Sequence, residues 1–150
     1  MKSHNAQLDV ILKPCSEKNI KNILDGINTF NLNKVPSKTE FWSPMNFVVK
    51  NKNSKVIEGI LSGVGYWAGL EIKILWVEEN YRNQGIGSWL LSFTENLAKE
   101  KGAEISMLDT FDFQAEEFYK KHDYISLGFI NNFPKGHRRS YFYKRLNKFK

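Results

Sequence analysis

The stretch Leu70-Glu-Ile-Lys-Ile-Leu-Trp-Val77, followed by Arg82-Asn-Gln-Gly85-Ile-Gly87, decides the fold of this chain. Its first half reads as an alternating apolar strand. A short acidic link, Glu78-Glu-Asn-Tyr81, leads into a glycine-bearing loop, and the apolar spacing from residue 85 onward is helical. A strand that feeds a glycine loop at a helix start aims several backbone N–H groups at one point, and the helix dipole adds positive potential there. Such a point suits a phosphate or pyrophosphate. Two familiar phosphate loops are excluded. Ser88-Trp89 follows Gly87 where a Walker loop needs Lys-Ser/Thr. Leu90 stands where a dinucleotide fingerprint needs its third glycine.

Outward from this stretch, 150 residues fit one domain, expected to span 1–150, with a core that needs no disulfide or metal. The lone Cys15 cannot pair internally and reads as a small, partly buried residue near a strand end. The absence of a long apolar run or secretory leader points to a cytoplasmic protein without a membrane span. The net charge of +6 gathers toward the C-terminus and suits coenzyme phosphates as well as nucleic acid. Nucleic acid is disfavoured, because no zinc pattern, helix-turn-helix or RNP-type motif accompanies that charge. His4, His122 and His137 lack ligand spacing, so no metal is expected.

The remaining elements follow from periodicity. A strand is expected over residues 7–12. A helix capped by Ser16 carries Ile20, Ile23, Leu24 and Ile27. Residues 29–44 should break, with a short helix near Lys38–Phe41. Strands follow at Met45–Lys50, Val56–Tyr66 and Leu70–Val77. The helix from Gly85 presents Ile86, Leu90, Phe93 and Leu97 and stops at Gly102. Further strands at Glu104–Asp109, Tyr124–Phe129 and Arg138–Leu146 enclose a short helix, Gln114–His122. The order implies an α/β (α+β) fold with a mixed sheet.

The loop in its context, together with Asp112-Phe-Gln-Ala115 and Phe118-Tyr119-Lys-Lys-His-Asp-Tyr124, resembles the Gcn5-related N-acetyltransferase (GNAT) superfamily over about residues 70–130. The segments Leu108–Ala115 and Phe133-Pro-Lys-Gly-His137 look like a bacterial subgroup of small acetyltransferases. The resemblance implies a single-domain, mixed, mostly antiparallel sheet. It would be flanked by helices and splayed between its fourth and fifth strands, 70–77 and 104–109.

Acetyl-coenzyme A would be the co-substrate. Its pantetheine arm would lie in the split against the backbone of Leu75, Trp76 and Val77. Its pyrophosphate would rest on Gln84, Gly85, Ile86, Gly87 and Ser88, with Arg82 and Asn83 alongside. A backbone N–H near Val77, where this family usually places a bulge, would polarise the carbonyl. By the same resemblance, Tyr119 protonates the departing sulfur, and Glu71 is the candidate general base. Strand alternation would turn Glu71 to the face of Lys73, Leu75 and Val77. Glu71 could equally be a solvated partner of Lys73. Glu78, Glu79 and His137 are fallback bases, and a water chain would serve without one.

Two positions depart from the family pattern. Asp112 replaces the usual Asn and either meets the coenzyme or caps the next helix. Asp123 replaces a Gly at a turn that Asp tolerates. Phe41, Trp42, Tyr66 and Trp67 are candidates for an acceptor pocket. The implied activity is acetyl transfer to a primary amine of a small molecule or protein. The alternative is a non-catalytic acyl-coenzyme A-binding regulator on the same fold. The resemblance leaves the oligomeric state open, with a homodimer as the common form.

Overall fold

The computed structural model describes residues 3–5 and 10–147, and the chain gathers into two units, Met1–Pro36 and Ser37–Lys150. The first unit holds an antiparallel pair, β1 (Ser3–Asn5) and β2 (Val10–Leu12), and the helix α1 (Glu17–Lys34). Of the strand expected at 7–12, residues 7–9 lie outside the described residues. Ser16 caps α1 reciprocally: its hydroxyl accepts from Asn19 N–H, and the Asn19 side chain accepts from Ser16 N–H. The helix does not break at 29. It runs to Lys34 and stops where Val35, ahead of Pro36, turns extended, because proline disfavours helical backbone in the preceding residue. Cys15 is exposed rather than partly buried.

The second unit contains β3 (Trp42–Pro44), β4 (Phe47–Lys50), β5 (Val56–Gly65), β6 (Gly69–Val77), α2 (Ile86–Glu100), β7 (Ile105–Phe111), α3 (Glu116–Lys121), β8 (Ile125–Asn131) and β9 (Arg138–Arg145). The helix expected at Lys38–Phe41 does not form. There Ser37 and Thr39 bind each other and the backbone instead, and Thr39 donates to Gly65 C=O. The seven strands form one sheet in the order β3-β5-β6-β7-β9-β8, with β4 also on β5. Every neighbouring pair is antiparallel except β6 and β7.

That parallel pair is short. Gly69–Ile72 meets Ile105–Leu108, and then the strands part. β6 stays on β5 as far as Val77, while β7 stays on β9 as far as Phe111. The expected splay is therefore present, with its vertex at Ile72 and Leu108.

The inner face of the sheet carries Ile60, Val64, Leu70, Ile72, Leu108 and Phe142, which pack with Leu90 and Leu91 of α2 and Tyr119 of α3. The buried stripe of α2 is Leu90, Leu91, Thr94, Glu95 and Ala98, whereas Phe93 is exposed. Apolar spacing misplaced this stripe because two of its members are polar. Thr94 donates to Leu90 C=O, and Glu95 pairs with Lys144 at 2.7 Å, so both can be buried. Lys101 and Gly102, the latter at φ +92°, end the helix as expected.

On the outer face, the Trp42 ring lies flush on Gly63, where a β-carbon would come within 2.3 Å of the ring. Lys73 Nζ sits 4.6 Å from the centre of the same ring. Gly63→Ala must push the indole away. Urea unfolding followed by tryptophan emission is expected to show a loss of about 1–3 kcal/mol together with altered native emission.

Candidate active site

The glycine loop forms as its sequence suggests. Gly85 is the N-cap of α2 at φ +80°, a left-handed conformation that a β-carbon would strain, and no side chain caps the helix there. The first bond within the helix runs from Trp89 N–H to Gly85 C=O, so the N–H groups of Ile86, Gly87 and Ser88 have no partner within it. A β-carbon at Gly87 would make only ordinary contacts, 3.5 Å to Phe118 and 3.6 Å to Val77, so the protein's own atoms do not demand glycine at that position. Arg82 folds back and donates from Nε to Val77 C=O, Gln84 donates to Asn80 C=O, and Asn83 takes a left-handed turn at φ +61°. The loop thus opens directly off the end of β6.

The outline of the split is set by a bulge. Leu61 pairs with Ile74 and Ser62 with Ile72, which leaves Lys73 as an extra residue in β6. The bulge sits at the vertex of the split, four residues before the expected place near Val77. It also corrects the expected orientation of Glu71. Leu70 and Ile72 point inward before the bulge, and Leu75 and Val77 are the inward residues after it. Glu71 is exposed on the outer face, opposite Leu75 and Val77, beside Gly63 and Met107. Trp42 covers Gly63, so Glu71, Lys73 and Trp42 gather on the outer side near the vertex. Phe41 and Tyr66 touch at 5.6 Å, and Tyr66 meets Trp67 at 6.2 Å. Phe41, Tyr66 and Trp67 therefore form one chain of ring contacts, while Trp42 packs on Gly63.

Tyr119 lies on the inner side. It is buried against Phe118 and Tyr124, and burial with the nearby Asp109 charge pushes its phenol up to about 12, so it keeps its proton at neutral pH. Its helix is fastened to β9 by Glu116, which accepts from Arg138 at 3.1 and 2.6 Å and from the Ser140 hydroxyl. The Arg138 hydrogen bonds are the main cause that holds the Glu116 carboxyl below the usual range. Asp109, on the outer face of β7 just past the vertex, pairs with Arg139 at 2.7 Å.

Asp112 does not cap α3, whose N-cap is Ala115 with no side-chain bond. Its carboxylate holds His137 Nδ1 at 3.0 Å, and the Phe113 ring stands edge-on to that imidazole. Asp123 takes the left-handed turn, at φ +67°. Glu78 caps the turn after β6 through Asn80 N–H. Among the described residues, no group of three or more His, Cys, Asp or Glu is placed to hold a metal ion, and no helix is long and apolar enough to cross a membrane.

Sequence reasoning passed over Glu58. It lies on β5 opposite Val77 and Val49, fully buried, and neither carboxyl oxygen has a hydrogen-bond partner. An acidic residue in an otherwise alternating strand gives no sign of which face it takes. Desolvation pushes its carboxyl up to about 7. A folded-state value raised above the unfolded one makes stability greatest at low pH and lowers it as pH rises through about 7. Glu58→Gln is therefore expected to raise Tm at pH 8 and to change it little at pH 5. Equal shifts at both pH values would show that the carboxyl does not titrate in this way.

Known proteins resemble this chain in sequence and fold. The family model for the acetyltransferase (GNAT) domain matches residues 43–126. An acetyltransferase crystal structure from Bacillus cereus is 36% identical with a TM-score of 0.79, covering 89% of this chain and 96% of that one. Blasticidin-S acetyltransferase of Streptomyces morookaense is 36% identical over 81 residues, 53% of this chain but only 60% of that protein. An aminoglycoside 6'-N-acetyltransferase complexed with coenzyme A shares the fold, at 15% identity and TM-score 0.63, covering 90% of this chain and 83% of that one.

Proposed function

Because this chain belongs to the GNAT acetyltransferase family, we propose that it transfers the acetyl group of acetyl-coenzyme A directly to a primary amine. The observation that carries this reading is the parting of β6 and β7 beside a helix start with unpartnered N–H groups. Past Ile72 the β6 backbone has no strand partner on the β7 side, which suits the amide-bearing pantetheine arm. The N–H groups of Ile86, Gly87 and Ser88 suit the pyrophosphate, and the left-handed Gly85 holds the loop open for it. Arg82 stands at the same loop with the rest of its guanidinium free to add a charge-assisted contact.

The two candidate catalytic side chains lie on opposite faces, with the split between them. Acetyl-coenzyme A supplies a thioester. The neutral amine attacks its carbonyl carbon, the C–N bond forms and the C–S bond breaks. A backbone N–H of β6 bordering the split receives the developing oxyanion. Glu71, on the outer face, takes the amine proton through water. Tyr119, on the inner face, gives its proton to the departing sulfur. Asp112 supports His137.

The acceptor is a small-molecule or protein amine that reaches the outer face beside Trp42 and Glu71. The 36% identity to an enzyme named for blasticidin-S makes an antibiotic amine the first class to try.

Calorimetry is expected to show coenzyme A bound by the wild type and not by Gly85→Glu, whose circular dichroism should stay native. Tyr119→Phe is expected to lower kcat about 10²-fold while leaving the KM for acetyl-coenzyme A within roughly threefold. Failure of the wild type to bind coenzyme A would overturn the reading. Tight binding without thiol release across a broad amine panel would favour the non-catalytic regulator.

A further inference from the structure

The last turn of α3 is locked onto the first turn of α2. Phe118 flanks Gly87, with its ring edge 3.5 Å from where a β-carbon would stand. One turn later, at the i+4 position, the His122 ring packs on Phe118 at 4.6 Å between centres, and its Nε2 lies 2.8 Å from Ser88 Oγ. The His122 backbone is fixed as well, since its N–H donates to Tyr119 C=O. A part-buried imidazole held from two sides therefore addresses the one hydroxyl in the helix turn whose N–H groups point at the proposed phosphate site.

The direction of that hydrogen bond matters. A serine has one proton to give. If Ser88 donates to a bare Nε2, it shows only lone pairs to an incoming phosphate. If Nε2 carries the hydrogen, Ser88 accepts from the ring and its own proton is free for a phosphate oxygen. A phosphate at the loop therefore selects the Nε2–H form of His122.

Resting on the coenzyme reading above, we propose that His122 is a positioning residue of the coenzyme phosphate site. It donates from Nε2 to Ser88 Oγ and so turns the serine hydroxyl into a phosphate donor. Phe118 orients the ring, and no contact between His122 and the coenzyme is required.

The test is calorimetry with coenzyme A on the wild type, His122→Leu, His122→Gln, Ser88→Ala and the Ser88→Ala/His122→Leu double variant, each first checked for a native melting transition. His122→Leu keeps the packing on Phe118 and removes the donor. It is expected to weaken binding about five- to tenfold, as is Ser88→Ala. His122→Gln, whose amide N–H can stand in for Nε2–H, is expected to bind within roughly twofold of wild type. The double variant should bind no worse than Ser88→Ala alone. With acetyl-coenzyme A as the varied substrate, His122→Leu should raise KM and leave kcat unchanged.

Unchanged affinity in His122→Leu, a Gln variant as weak as the Leu variant, or additive losses in the double variant would each overturn the proposal while the coenzyme site stood. A wild type that binds no coenzyme A would remove the site and the proposal together.

Discussion

The opening in the sheet follows from a pairing that stops early. After Ile72 and Leu108, β6 and β7 go separate ways, each held straight by its other neighbour. A hydrogen-bonded ladder is cooperative, so it needs a reason to end, and the extra residue at Lys73 supplies one. The bulge adds local twist to β6 where β7 would otherwise continue alongside it. Backbone polar groups are thereby left open in the middle of a sheet. Ordinary packing would not tolerate them there, and a ligand with amides of its own can satisfy them. The helix that starts at Gly85 meets the same opening because β6 ends beside it.

The two faces of the sheet offer different surroundings. The inner one is filled by α2 and α3 and places a phenol in low-dielectric surroundings, where it keeps its proton. The outer one leaves Glu71 and Lys73 exposed beside a half-buried Trp42. The proposed acid and the proposed base thus sit in opposite environments, one buried and one exposed, on the two sides of the sheet. Glu116 matters here although it touches no part of the opening. Its bonds to Arg138 and Ser140 fasten α3 to β9 and so fix where Tyr119 stands.

Much of this was legible in the residues. Gly85 and the capping Ser16 act through local backbone geometry, which neighbouring residues report directly. The strand–loop–helix order needed no tertiary information. The Lys73 bulge did not show, because β6 alternates in composition and only its partner strand reveals the extra residue. That hidden residue reversed the expected face of Glu71. The buried stripe of α2 was misplaced for a related reason: Glu95 belongs inside only because Lys144, far along the chain, comes to meet it. Glu58 and the Ser88–His122 contact are likewise decided by what arrives from elsewhere in the fold.

Trp42 and Gly63 share one volume on the outer face. The indole occupies the space that any side chain at 63 would claim, and the missing β-carbon is what lets the ring lie flat beside Glu71. The two positions therefore amount to a single choice. A smaller residue at 42 would free room at 63, and a side chain at 63 would require a smaller one at 42. Any redesign of the surface around Glu71 has to treat them as a pair.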